Sequence, residues 1–104
     1  MIPKELSLET IKNTYQKLSP YVLETPVIKG WSLINEIFNT NVFFKMEFLQ
    51  NAGTFKSRGA TNNILNLTDS QKAFGVTAVS AGNHAIAASY VANKFNSVCL
   101  RTLV

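Results

Sequence analysis

The chemistry starts at Lys56, in the run Gly53-Thr54-Phe55-Lys56-Ser57-Arg58-Gly59-Ala60. A glycine lets the backbone turn sharply, and the Thr54 hydroxyl can cap a helix that follows. Lys56 then falls in the first turn of that helix, with Arg58 a second cation close by. The positive end of the helix dipole disfavours an ammonium there. A neutral amine is what Schiff-base chemistry with an aldehyde requires. Taken alone, a lysine at a helix start is more often an ordinary surface residue. The second segment of interest is Ser80-Ala81-Gly82-Asn83-His84-Ala85. Small residues between a strand and a helix expose backbone N–H groups, and such a helix start accepts a carboxylate or phosphate. The same residues also read as a capped helix without a ligand, Asn83 being the cap and His84 facing solvent. His84 as a general base would need an orienting partner, which the sequence does not assign.

The elements that must position these residues follow from periodicity and punctuation. Ser7 is placed to cap a first helix with Leu8, Ile11, Tyr15 and Leu18 at helical spacing, and Pro20 ends it. Glu24 to Val27 is extended, because a residue before proline avoids the helical region. Ser32 is placed to cap a short helix carrying Leu33, Ile34, Ile37 and Phe38. Residues 42–47 read as a strand from their aromatic and β-branched content. A helix is expected over 55–67, a shorter one over 69–74 closed by Gly75, and a second strand over 76–79. A further helix runs from Asn83 or His84 to about Phe95, with a last strand over 97–104. Strands alternating with helices signal βαβ units and a parallel sheet. Both segments of interest lie just after a strand and just before a helix. That is the edge at which ligands bind in such sheets.

The 104 residues are 46% hydrophobic and 15% charged, with five glycines and three prolines. This composition argues against disorder and low-complexity classes, and the length allows one domain or part of something larger. The formal charge is +4, but the basic residues are scattered and no nucleic-acid motif is present. Cys99 is the single cysteine and sits in an apolar run, so it is expected to be a buried small hydrophobe. One Cys and one His do not build a Cys/His zinc site, and no metal is expected. No secretory leader is visible at the start, and no apolar run approaches the roughly 18 residues that span a membrane. A cytoplasmic location is expected.

Taken together and in order, these residues resemble one family. Lys45-Met46-Glu47, then Leu49-Gln50, then Gly53-Thr54-Phe55-Lys56-x-Arg58-Gly59-Ala60, then Ser80-Ala81-Gly82-Asn83-His84-Ala85 are similar to the amino-terminal part of the threonine dehydratase and serine racemase group. Thr25-Pro26-Val27 fits that group's Thr-Pro-aliphatic segment, and the resemblance spans about residues 8–98. The group consists of fold type II pyridoxal-phosphate enzymes. The resemblance therefore implies an α/β, incomplete three-layer parallel-sheet fold of the tryptophan-synthase-β-like type. Residues 1–75 would be the N-terminal part of the large cofactor domain and residues 76–104 the start of the small domain, neither complete.

The resemblance also implies roles. Lys56 would be the catalytic residue, joined to pyridoxal 5'-phosphate as a Schiff base and then, once freed, acting as the base at the substrate Cα. Phe55 would lie near the cofactor ring, and Asn83 would hydrogen-bond its ring oxygen. Ser80, Ala81, Gly82, Asn83 and His84 would receive the substrate carboxylate. The implied reaction is a threonine or serine ammonia-lyase reaction, a dehydratase β-elimination of the hydroxyl giving a 2-oxo acid and ammonia. Thr54 stands where serine is common and keeps the hydroxyl. Ala81 stands where the racemase branch carries a serine that works on the opposite face of Cα. Racemisation needs proton-transfer groups on both faces and elimination needs one, so the pattern resembles the dehydratase branch. The glycine-rich phosphate loop and the residue facing the pyridine nitrogen would lie beyond Val104. The 104-residue chain is therefore expected to be a fragment and inactive alone. The alternatives are a non-catalytic truncated chain, an interaction partner of a full-length subunit, or an amino-acid racemase. The expected partners are a small-molecule amino-acid substrate, no nucleic acid and no membrane, with a homo-oligomeric full-length form.

Overall fold

The Ser7 hydroxyl accepts the Thr10 N–H at 3.1 Å and starts α1, Leu8–Leu18, as the capping residue predicts. A computed structural model describes residues 6–102. Glu9 in the first turn and Lys17 in the last complement the helix dipole. Of the apolar stripe on α1, only Leu18 is buried; Leu8, Ile11 and Tyr15 are exposed.

The extended segment at Pro26 continues into β1, Val27–Lys29, and α2, Ser32–Phe38, links it to β2, Phe43–Lys45. The two strands pair antiparallel, Val27 opposite Lys45 and Lys29 opposite Phe43. The alternation of strands and helices did not anticipate that direction, nor that three residues after Pro26 form a strand. Ser32 is not the cap of α2. It is the first helical residue, after Trp31, and no side chain caps this helix. Asn35 holds the connection instead: its amide donates to the Gly30 carbonyl at 3.2 Å and accepts from the Val42 N–H at 2.8 Å. The strand expected over 42–47 is trimmed to Phe43–Lys45, because β1 offers only three partners and Glu47 already begins a 3₁₀ turn, Glu47–Leu49.

A second 3₁₀ turn, Asn51–Gly53, leads to α3, Lys56–Leu65, and then to α4, Asp69–Phe74. Thr68 and Gln71 form a reciprocal capping box on α4. Gly75 closes it at φ +89, where an added Cβ would stand 2.8 Å from the Val98 carbonyl oxygen. The chain then runs through β3, Val76–Val79, α5, Asn83–Lys94, and β4, Cys99–Thr102. β3 and β4 are parallel, Val76 opposite Cys99, so this stretch is the βαβ unit that the alternation predicts. The last two residues of the expected strand lie outside the described residues.

The core sits between α3 and α5. Ala60 and Ile64 meet Ala87, Val91 and Ala92, bordered by Leu67, Val76, Phe95 and Cys99. Cys99 is half-buried at this border rather than fully buried, with the Ser89 hydroxyl 3.8 Å from its sulfur. The molecule is elongated, 52 × 32 × 27 Å, with a radius of gyration of 16.6 Å. A compact chain of this length has about 13 Å. The excess lies with an uncovered apolar surface: Trp31, Ile37, Phe38 and Phe43 on the β1–α2–β2 unit are all exposed. No helix among the described residues is long and apolar enough to cross a membrane.

Candidate active site

The head of α3 is built by side chains gripping distant backbone. Gln50 is buried, and its amide pairs with Leu23 on both sides: it accepts the Leu23 N–H at 2.9 Å and donates to the Leu23 carbonyl at 2.8 Å. Asn51 donates to the Tyr21 carbonyl at 3.0 Å. The chain then turns through Ala52 at φ 60 and Gly53 at φ 67. Both are left-handed, a conformation that glycine adopts without cost. Thr54 is buried and its hydroxyl accepts the Lys56 N–H at 3.3 Å. The expected Thr54 cap is displaced: Phe55 holds the cap position without a side-chain cap hydrogen bond, and the helix begins at Lys56, one residue later than expected. Ser57 is buried too, its hydroxyl donating to the Asn51 carbonyl.

Glu47 and Arg58 close the other flank. The guanidinium forks onto the carboxylate, Nε to Oε2 at 2.9 Å and Nη2 to Oε1 at 2.7 Å. The Thr25 hydroxyl donates to the same carboxylate at 2.5 Å. The Arg58 hydrogen bond holds the Glu47 carboxyl below the usual glutamate range; partial burial opposes this, and Thr25 reinforces it. The same hydrogen bond raises Arg58 further. A carboxyl depressed on folding stabilises the fold above its unfolded pKa, and that contribution is lost as pH falls through the folded value. The melting temperature of the wild-type chain should therefore exceed that of Glu47→Gln by a constant margin near neutrality. The margin should shrink as pH falls below the ordinary value of 4.5. A margin unchanged down to acid unfolding would contradict the ionised pair.

Between these two anchors the Lys56 side chain is exposed. Its Nζ lies 5.0 Å from the centroid of the Phe55 ring. It makes no hydrogen bond or ion pair with any described residue. Lys56, Gly59, Ala60 and Asn63 follow the i, i+3, i+4, i+7 spacing of one helix face. Together with Phe55, Arg58 and His84 they line a cleft of about 360 Å³. A Cβ added at Gly59 would meet nothing within 4 Å. Glycine inside a helix costs about 1 kcal/mol relative to alanine, so the protein's own packing does not require it. Gly59→Ala is expected to raise the melting temperature, and Gly59→Leu to fill the cleft while leaving the helix intact. Circular dichroism melts and aldehyde labelling of Lys56 read the two effects.

The structure brings Lys56, Phe55 and His84 to one cleft. Ser80, Ala81, Gly82 and Asn83 form the β3–α5 connection and are not among its lining residues. In that connection the Gly82 N–H donates to the Ser80 hydroxyl at 3.2 Å. Asn83 is the first residue of α5 rather than its cap, and no side chain caps the helix. The N–H groups of its first turn therefore have no intrahelical acceptor. His84 is exposed in that turn. Gln50, Glu47 and Arg58 are the structural anchors that residue types alone did not assign. Their signal was only their fixed order around the lysine.

The sequence matches a known family description, that of the pyridoxal-phosphate dependent enzymes, over residues 18–102. The chain belongs to the pyridoxal-phosphate dependent enzyme family. Among its relatives in that family is the L-threonine dehydratase catabolic TdcB of Staphylococcus aureus. It is 46% identical over 80 residues, which are 77% of this chain and 23% of that protein. Among solved structures, maize serine racemase superposes with a TM-score of 0.82 at 35% identity, over 92% of this chain and 30% of that one. The serine racemase of Dictyostelium discoideum superposes with a TM-score of 0.80, also at 35% identity, over 93% of this chain and 32% of that one. The fold is therefore part of the tryptophan-synthase-β-like, fold type II architecture of these pyridoxal-phosphate enzymes. The chain spans between 23% and 32% of the length of these relatives. The residues present fit the family's cofactor: an amine without a hydrogen-bond partner among the described residues stands beside an aromatic ring, over a helix face whose glycine leaves the space open.

Proposed function

We propose that this chain is the N-terminal portion of a pyridoxal-phosphate-dependent threonine/serine ammonia-lyase, which eliminates the β-hydroxyl and yields a 2-oxo acid and ammonia. The observation that carries the reading is the free Lys56 amine at the head of α3, in a cleft, in a chain of this family. Lys56, Phe55 and Asn83 would hold the cofactor. Bound there, the cofactor supplies an electron sink for the charge that develops at the substrate Cα. Lys56 then takes the proton from Cα, a role its free amine and exposed position support. The Ser80 to His84 segment binds the substrate carboxylate through the unpaired N–H groups at the start of α5, helped by the positive end of that helix. Asn83 would donate its amide to the cofactor's ring oxygen. Ala81 has no side-chain proton to give, which favours elimination over racemisation.

We further assign residues 1–75 to the large cofactor domain and 76–104 to the start of the small one. The α3–α5 packing then becomes the seam between the two domains. Activity belongs to the longer form, of which relatives show about three to four times this length. A cytoplasmic, homo-oligomeric enzyme acting on a small amino acid completes the proposal.

The test is to incubate the chain with pyridoxal 5'-phosphate, reduce with borohydride and locate the label by peptide mass. Label concentrated at Lys56 over the other lysines is the expected result, with no turnover of L-threonine by the 104-residue chain alone. Label spread evenly over the lysines would support a non-catalytic chain instead.

A further inference from the structure

The first turn of α3 carries two cations, Lys56 and Arg58, at the positive end of a helix, where cations are disfavoured. Something must compensate, and the compensation is one-sided. Arg58 receives a forked carboxylate from Glu47, while Lys56 receives none from any described residue. The Glu47 carboxylate collects three donors from two segments: Arg58 Nε and Nη2 and the Thr25 hydroxyl. Thr25 is held in turn, its carbonyl accepting from the Lys45 Nζ at 2.6 Å. Arg58 also donates to the Leu23 carbonyl at 3.1 Å. The extended segment before β1, the end of β2 and the head of α3 thus meet at one carboxylate. On the adjoining flank Ser57 is buried and tied to Asn51. Successive helix residues step by about 100°. With Ser57 buried and Arg58 held against Glu47 at the edge of the cleft, Lys56 is left facing into it.

We propose that Glu47, acting through Arg58, is the positioning residue that aims Lys56 into the cleft. This rests on the reading of Lys56 given above. The pair is more than a surface ion pair: it is bidentate, its side chains are only 18% and 26% exposed, and it has a third partner in Thr25.

The experiment measures the share of borohydride-trapped pyridoxal phosphate on Lys56 relative to Lys72, in wild type, Glu47→Gln, Arg58→Gln and the double variant. Glu47→Gln and Arg58→Gln should each lower that ratio about tenfold, and the double variant should lose no more than either single. Arg58→Lys should not restore it, because an ammonium keeps the charge but lacks the fork. Reductive methylation of Lys56 by formaldehyde, a reagent too small to need the cleft, should be the same in all of them. Wild-type selectivity in Glu47→Gln, additive losses in the double variant, or full rescue by Arg58→Lys would each overturn the proposal. If Glu47→Gln loses its circular dichroism signal, Thr25→Val decides. It removes one of the three donors and should lower the ratio two- to threefold with the fold intact, by the loss of about one hydrogen bond. An unchanged ratio there counts against Glu47. Absence of Lys56 selectivity in wild type would instead bring down the cofactor reading itself.

Discussion

Lys56→Ala is expected to abolish the borohydride-stable label at the head of α3 while leaving the fold unchanged. The Lys56 side chain is exposed and makes no hydrogen bond or ion pair with a described residue, so its loss removes only a contact with the exposed Phe55 ring. Surface substitutions of this kind shift stability by about 0.5 kcal/mol or less. Lys56→Arg is the sharper variant. It keeps a cation beside the Phe55 ring but carries no amine able to condense with an aldehyde. It should lose the label as completely as alanine does. In a longer form that turns over threonine, loss of the base should lower kcat by about 10²–10⁴-fold. A labelled α3 peptide in Lys56→Arg would show that another group carries the chemistry.

Ile64→Ala should be the most damaging core substitution. Ile64 is 4% exposed and is the largest side chain that α3 contributes to the buried cluster, facing Ala87, Val91 and Ala92. Truncations of this kind cost about 2–5 kcal/mol, and a chain of this length has only about 5–15 kcal/mol in all. The chemical denaturation midpoint should fall steeply. Ile37→Ala is the matched control: the same residue type, on α2, which buries no residue at all. Its effect should stay within about 0.5 kcal/mol. Equal losses for the two variants would mean that the apolar face of α2 is covered in solution.

What could be read from the sequence was what local chemistry writes. Ser7 announces α1 because a hydroxyl at that place bonds the N–H three residues on. Gly75 announces the end of α4 because φ +89 admits little else. The strand over 76–79 and the helix after Gly82 followed from the same punctuation. Neither Thr54 nor Ser32 takes the cap position foreseen for it: Phe55 and Trp31 stand there, and the Asn35 side chain bridges Gly30 and Val42 beside α2. Contacts between segments far apart in the chain were not legible. Gln50 grips Leu23 across 27 positions, and Thr25 reaches Glu47 across 22. No periodicity encodes either bond, and the antiparallel direction of β1 and β2 was hidden for the same reason. In the site, the lysine and the histidine were singled out separately, and their meeting in one cleft is a product of helix packing.

That packing relies on very small side chains. Ala87 and Ala92 on α5 have no exposed surface, and across from them stands Ala60 of α3. Methyl groups thus act as the spacer between the helix that bears Lys56 and the helix that bears His84. A spacer of this kind behaves like a calibrated shim. Each added carbon at Ala87 or Ala92 must push the two helices apart, because close-packed interiors offer no slack. The cleft mouth widens with them. The gap between the two functional side chains is therefore adjustable from behind, at positions that do not line the cleft. Selection or an engineer could resize this cleft without altering a residue that lines it.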